Sequence, residues 1–198
     1  MGGRPIPDGD PLGVSDTRSI NAGGTLIGSL SVTLNMRGGF NGDIYAQLTH
    51  ASGFSVLLNQ VGARLTDPLG YSDSGFAVTI SDNAISGDIH NYRFALFGSQ
   101  DVPLDGPLLG NWAPDGRPLG SELNPSDSAR TRRLSSFSGL PADGAWTIFL
   151  LDQSSGGEAT LQSWGLQIQP VPEPTTVSLL VLGTLIFAAR KLKSKLRL

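Results

Sequence analysis

Apolar and polar residues alternate along much of the chain between residues 29 and 169. In Ser29–Asn35 the apolar residues Leu30, Val32 and Leu34 point to one side, and serine and threonine point to the other. A period of two residues is the pattern of a β-strand with one face in a core. Since no ten-residue stretch before residue 175 shows a helical stripe, the pattern predicts an all-β domain.

Further β-type runs follow at short intervals, and glycine-rich turns separate them. They cover residues 44–49, 54–59, 75–80, 92–97, 146–151 and 164–168. This spacing predicts an antiparallel β-sandwich of jelly-roll type. The run Trp146–Leu151 carries apolar side chains on both faces, so we expect it to be buried on both.

Residues 98–133 contain five prolines and few apolar runs, so we predict long loops around a short segment near Trp112. Trp146 and Trp164 lie on strand patterns and are expected in the core. Trp112 is open to two interpretations, an exposed carbohydrate-binding side chain or, as we favour, a plug over one end of the sandwich. The basic loop formed by Arg130, Arg132 and Arg133 is expected to be solvated.

Charge divides the chain into two parts. The tail from Val171 holds five basic residues and one acid, whereas the residues before it hold nine arginines, sixteen acids and no lysine. An acidic body without a basic stripe argues against nucleic acid as a partner. The absence of cysteine excludes a disulfide scaffold, a thiolate zinc site and a cysteine nucleophile.

The tail predicts a hydrophobic, membrane-directed helix. No charge interrupts Thr175–Ala189, which as a helix would reach about 22 Å, short of the roughly 30 Å hydrocarbon core unless flanking basic residues snorkel. The basic end should stay cytoplasmic and place residues 1–170 outside. The residues that would set this orientation are Arg190, Lys191, Lys193, Lys195 and Arg197.

The tail also carries a short motif before its hydrophobic part. Pro172, Glu173 and Pro174 precede the apolar span and the basic end, and together these three parts closely resemble the PEP-CTERM sorting signal of Gram-negative bacteria. The resemblance implies recognition by an exosortase, with Pro172, Glu173 and Pro174 as recognition residues and a transient anchor in the inner membrane. The alternatives are an ordinary single-pass anchor and an amphipathic helix lying on the membrane.

Segments of the body are similar to a second family. Gly42-Asp43-Ile44 and its following strand, Phe137–Leu140, Gly144–Ile148 and Trp164–Ile168 resemble blocks of the proprotein convertase P domain (P/Homo B). The resemblance implies a jelly-roll sandwich over residues 1–169, with the sorting tail over residues 170–198. The first thirteen residues hold no apolar signal-peptide stretch, so export would require a longer native N-terminus. The alternative is that the protein stays in the cytosol with an unused tail.

We predict no catalytic residues. A Ser/His/Asp triad needs an oriented histidine beside a serine, and only His50 and His90 exist, which we expect at the surface or at a strand end. No serine lies in the Gly-x-Ser-x-Gly motif of a nucleophile elbow. A phosphate-binding loop needs a lysine, and the chain has none before residue 191.

We predict no obligatory cofactor. Calcium is the one metal for which the sequence offers candidate ligands. Aspartates favour turns for their own hydrogen bonds, but turns also supply the carboxylate and carbonyl oxygens that calcium binds. Asp43 and Asp152 flank predicted strands and are the first candidates for a metal site. The other turn aspartates are Asp67, Asp73, Asp82 and Asp88.

Together these patterns predict a non-enzymatic exported protein of a Gram-negative bacterium. It would be sorted to the cell surface or extracellular matrix and cleaved by an exosortase, with extracellular polysaccharide or surface proteins as partners. The alternatives are an accessory domain for a separately encoded protease or hydrolase, and a calcium- or carbohydrate-binding module.

Overall fold

The computed structural model describes residues 3–118 and 129–172, which fold mainly into β-strands. One α-helix, α1 (Tyr92–Phe97), and three short 3₁₀ helices (Asn41–Asp43, Ile89–Asn91 and Leu134–Phe137) lie among these residues. The strands are β1 (Arg4–Ile6), β2 (Val14–Ile20), β3 (Ile27–Gly38), β4 (Ile44–His50), β5 (Gly53–Asn59), β6 (Phe76–Ile80), β7 (Leu108–Trp112), β8 (Gly144–Asp152) and β9 (Ala159–Pro170).

The strands form two sheets. The five-stranded sheet has the order β1-β9-β3-β6-β7, and the four-stranded sheet has the order β2-β8-β4-β5. Consecutive strands β3 and β4 belong to different sheets, as do β8 and β9, so the chain passes repeatedly from one layer to the other. The all-β prediction with two sheets is confirmed.

The core lies between the sheets and is filled by the alternating side chains that the sequence indicated. On β8, Trp146, Ile148 and Leu150 are buried, and β8 is hydrogen-bonded to β2 on one side and β4 on the other. The side chains between them, Thr147 and Phe149, are only half-buried. The expectation that this strand is buried on both faces was therefore wrong, because only one sheet lies against it.

One strand pair departs from the antiparallel prediction. β6 and β7 run parallel, with Phe76 opposite Leu108 and Ile80 opposite Trp112. Parallel neighbours need a crossover that returns the chain to the same end of the sheet. Residues 81–107 provide it, and they contain α1.

The predicted strand over residues 92–97 is wrong, because this segment is the helix α1. The Asp88 carboxylate accepts a hydrogen bond from the backbone N–H of His90 (3.0 Å), which caps the 3₁₀ turn leading into α1. At the other end Gly98 adopts φ 68° and its N–H bonds to the Phe94 carbonyl (2.8 Å). The Asp88 cap begins this helical segment and Gly98 ends it. The alternation of apolar and polar residues alone cannot distinguish so short a helix from a strand.

All three tryptophans are buried. Trp146 and Trp164 lie on their predicted strands, and Trp112 ends β7 with its ring centroid 6.3 Å from that of Tyr92. The indole N–H of Trp112 is satisfied by the Leu109 carbonyl (2.8 Å). The interpretation of Trp112 as an exposed carbohydrate-binding side chain is therefore wrong. The short segment near Trp112, within long loops, is confirmed as β7.

β9 carries the chain to the edge of the described structure. Its last backbone contact is the hydrogen bond from the Val171 N–H to the Leu26 carbonyl (3.0 Å). Within residues 3–118 and 129–172, no helix is long and apolar enough to cross a membrane. The predicted membrane helix, Glu173, Pro174 and the basic end lie outside the described residues.

The two faces of β8 should respond differently to truncation. We expect Ile148→Ala to lower the free energy of unfolding by about 2–5 kcal/mol, since it opens a cavity between the sheets. The matched variant Thr147→Ala, on the opposite face, should cost less than about 1.5 kcal/mol. Urea unfolding followed by tryptophan fluorescence measures both, and equal losses would contradict the assignment of the core face.

Candidate functional site

Two of the predicted carboxylates meet at one end of the sandwich, where β4 begins and β8 ends. Ile44, the first residue of β4, is directly opposite Asp152, the last residue of β8. Asp43 precedes Ile44, and its carbonyl accepts a hydrogen bond from the Gln153 N–H (2.9 Å). The antiparallel register therefore brings Asp43 and Asp152 together, although they are far apart in sequence.

Both carboxylates are removed from solvent. Asp43 is 5% exposed and Asp152 is 1% exposed. Among the described residues, neither side-chain oxygen of Asp152 has a hydrogen-bond partner of normal geometry. A third carboxylate, Asp8, lies nearby and accepts the Gly156 N–H at 3.0 Å on each of its oxygens. We refer to Asp8, Asp43 and Asp152 as the acidic end.

The electrostatics of the acidic end are unfavourable for ionised carboxylates. Burial, together with repulsion from Asp43 and Asp8 and against a hydrogen bond from the Ser154 backbone amide, raises the pKa of Asp152 to about 6. Burial also raises the pKa of Asp43, against a hydrogen bond from the Ser154 side chain. No basic side chain is among the described groups that shift these two pKa values.

A cavity of about 260 Å³ opens beside Asp43 and Ser154. Tyr71 also lines it, and the buried Tyr71 hydroxyl has no hydrogen-bond partner among the described residues. Apolar side chains, Phe40 and Leu69, form part of its wall. The cavity gives small polar ligands a path to Asp43.

The remaining turn aspartates do not join this site. Within the described ranges, no group of three or more His, Cys, Asp or Glu side chains is arranged to hold a metal ion. The partners of these aspartates are Arg64 for Asp67, Arg93 for Asp73, the Leu134 and Ser135 N–H groups for Asp82, and Arg117 for Asp88. A metal at the acidic end would thus have to rely on two carboxylates and neutral oxygens.

His90 is a buried structural residue, which corrects the expectation that it lies in a surface loop. Its Nδ1 is 2.7 Å from Asp115 Oδ2, and its Nε2 is 3.1 Å from the Ala63 carbonyl. Arg117 bridges Asp115 (3.0 Å) and Asp88 (2.9 Å) beside it. Burial is the largest single influence on His90 and lowers its pKa, but the hydrogen bond and negative charge of Asp115, with the hydrogen bond to the Ala63 carbonyl, together raise that pKa above its ordinary value.

His50 ends β4 as predicted but is also buried. Its two ring nitrogens lie 2.9 Å from the Ala145 carbonyl and 2.8 Å from the Pro141 carbonyl. The imidazole stacks on Trp146 with 4.0 Å between ring centroids. Both histidines are therefore fully engaged by structural partners, and neither faces a serine hydroxyl within the described hydrogen bonds.

The basic loop is solvated as expected at Arg132 and Arg133, which are exposed, but not at Arg130. Arg130 is half-buried and donates to the carbonyls of Pro114 and Asp115. The Arg132 guanidinium lies over the Phe54 ring at 5.4 Å, and its carbonyl accepts the Val56 N–H. This loop therefore holds the outer edge of β5.

A second buried ion pair joins Asp73 to Arg93, and no sequence pattern predicts it. Arg93 contacts both carboxylate oxygens of Asp73, at 2.8 and 2.9 Å, and the Leu104 N–H donates to the same carboxylate at 2.7 Å. Although burial opposes ionisation, these hydrogen bonds hold the pKa of Asp73 below its ordinary value. The pair fixes the first turn of α1 to the loop before β6.

Stability should depend on pH through His90. Because its folded pKa is raised above 6.5, its stabilisation is complete below pH 6.5 and is lost as pH rises through the folded pKa. At low pH we expect the free energy of unfolding of wild type to exceed that of His90→Gln by about 1–3 kcal/mol. This difference should shrink as pH rises. Urea titrations of both proteins from acidic to alkaline pH test this. A difference that grows with pH would contradict it.

Comparison with known proteins does not assign a family. No protein-family model matches the sequence, and no curated protein matches it. Two solved structures resemble the fold loosely, the serine protease of Aeromonas sobria and that protease in complex with the chaperone ORF2. Each is 14% identical, with TM-scores of 0.43 and 0.45, over 85% of this chain and 25% of the other. This chain therefore spans about a quarter of their length, and both family resemblances of the sequence remain predictions.

Proposed function

We propose that the sandwich is a non-catalytic module that binds another protein, as an accessory domain of a separately encoded protease or hydrolase. The observation that carries the proposal is the exposed surface of α1. Phe94, Leu96 and Phe97 are 58%, 49% and 47% exposed. Three large apolar side chains exposed on one short helix form a surface typical of protein–protein contact.

The helix presents this surface rigidly. Its first two residues, Tyr92 and Arg93, are buried, and Arg93 is held by both oxygens of Asp73. Tyr92 packs edge-on against Tyr71, with ring centroids 4.8 Å apart. A surface that is already ordered loses less conformational entropy when a partner binds.

Neighbouring loops extend the apolar surface. Arg64 donates to Gln100 and to Asp101, so the loop after β5 lies beside the segment that follows α1. Leu65 on the first loop and Val102 on the second are exposed. Exposed apolar residues around a fixed helix, with charged residues between them, resemble the core and rim of an interface.

The state of the two histidines supports a non-catalytic role. His50 faces two carbonyls and His90 faces a carboxylate and a carbonyl, so neither has a ring nitrogen available as a general base. These hydrogen bonds support a structural role for both histidines.

A second proposal concerns where the module acts. The motif Pro172-Glu173-Pro174, the apolar span and the basic end support export and exosortase sorting to the cell surface or matrix. β9 completes its pairing with β3 before Pro172, so cleavage at the motif would leave all the described strands intact. We also propose that the two sheets form a jelly roll, and that extracellular polysaccharide is a partner of the sorted protein.

The interface proposal predicts that a partner depends on α1. We expect Phe94→Ser combined with Phe97→Ser to abolish co-purification of a protease or hydrolase from the native cells. Ile85→Ser removes an equally apolar, fully exposed residue outside α1 and should retain that partner. Affinity capture with quantitative mass spectrometry measures both. The same enzymes retained by both variants, or none with wild type, would contradict the proposal.

The sorting proposal predicts the termini of the mature protein. Mass spectrometry of the native protein from envelope and matrix fractions should show loss of the basic C-terminal end, RKLKSKLRL. In a Glu173→Ala variant this end should remain, because the recognition motif is broken. An intact basic end on the wild-type protein in those fractions would overturn removal of the tail.

A further inference from the structure

We propose that the acidic end binds one Ca²⁺ ion between the carboxylates of Asp43 and Asp152. This site is separate from the apolar surface of α1, and it requires neither a protein partner nor the sorting tail. The inference stands on three observations made among the described residues. They are the buried Asp152 carboxylate without a hydrogen-bond partner of normal geometry, the absence of a basic side chain acting on Asp43 or Asp152, and the oxygen donors beside Asp43.

The first observation is the isolation of Asp152. Its side chain is 1% exposed, and neither oxygen has a hydrogen-bond partner of normal geometry. Burying a carboxylate without partners is strongly unfavourable, and native proteins offset it with hydrogen bonds, an ion pair or a metal. The negative charges of Asp43 and Asp8 raise the pKa of Asp152, so its surroundings disfavour a negative charge unless a cation is bound.

The second observation is a contrast within the same protein. Asp73 is buried and is bound by Arg93, by the Tyr92 hydroxyl and by the Leu104 N–H. Asp115 is buried and is bound by His90 and Arg117. Among the described residues, the other two buried carboxylates, Asp73 and Asp115, are thus neutralised by basic side chains. At the acidic end two buried carboxylates stand together, and a divalent cation has the charge that would balance them.

The third observation is the chemistry of the available donors. Besides the two carboxylates, the Ser154 hydroxyl lies at Asp43, and the unpartnered Tyr71 hydroxyl lines the same cavity. None of the described cavity-lining side chains offers a nitrogen or sulfur ligand. Ca²⁺ prefers six to eight oxygens and tolerates irregular geometry, whereas Zn²⁺ favours histidine and thiolate.

Asp8 would have a supporting role. Both of its oxygens accept the Gly156 N–H, so Asp8 holds the loop between β8 and β9 in place. In this proposal it is not a direct ligand of the ion. With two direct carboxylates, the site belongs with the weaker calcium sites of extracellular modules, which have dissociation constants of about 10⁻⁴–10⁻³ M. Ion binding would then connect the start of β4 to the end of β8.

The test is thermal unfolding and calorimetric titration of the full chain, first freed of metal with EGTA. We expect CaCl₂ at about 5 mM to raise the Tm by roughly 2–8 °C, with a smaller shift from MgCl₂. Asp152→Asn should abolish the calcium shift. The metal-free Tm of this variant should equal or exceed that of wild type, because the substitution removes a buried repulsion, so a loss of binding is not a loss of folding.

Two further variants make the test specific. Asp43→Asn should weaken calcium binding at least tenfold, since it removes the second carboxylate. Asp105→Asn, on the exposed loop before β7, should leave both the affinity and the Tm shift unchanged. No heat and no Tm shift in wild type up to about 10 mM, well above such dissociation constants, would overturn the site. An unchanged calcium shift in Asp152→Asn would overturn it equally.

Discussion

The pairing of β3 with β9 is the contact on which the remaining architecture depends. The two strands run antiparallel from Ile27 opposite Pro170 to Gly38 opposite Ala159, and they join the first third of the chain to its end. One end of this pair leads through Gly38 into the turn that carries Asp43, and through Ala159 back towards Asp152. The other end holds Leu26 and Val171. The acidic end and the exit of the chain are therefore fixed at opposite poles of the sandwich.

Most of the central strands could be predicted from sequence, because burial on one face imposes a strict alternation. Ser29–Asn35 and Trp146–Leu151 identify β3 and β8 for this reason. The alternation does not predict β2 (Val14–Ile20), because this edge strand carries polar side chains on both faces. Alternation predicts a strand where α1 forms, because its helical type is decided by the Asp88 cap and by Gly98, which local periodicity does not register.

The chemistry of the sites was only partly accessible from sequence. Asp43 and Asp152 could be predicted as candidates because each lies beside a predicted strand. The burial of Asp152 without a hydrogen-bond partner of normal geometry among the described residues arises only when β4 and β8 come into register. The ion pair of Asp73 with Arg93 joins a loop to a helix, and the contact between His90 and Asp115 joins two loops. Such partners share no spacing rule, so only the folded chain reveals them.

The position of β9 has a mechanical consequence. A tether that pulls on Val171 would act along the axis of β9, so the hydrogen bonds to β3 would be loaded together, in shear. Strands loaded in this geometry separate only when many bonds break at once, whereas strands peeled from one end lose their bonds singly. A sandwich hung from this residue is suited to bear force, and its far pole would point away from the point of attachment.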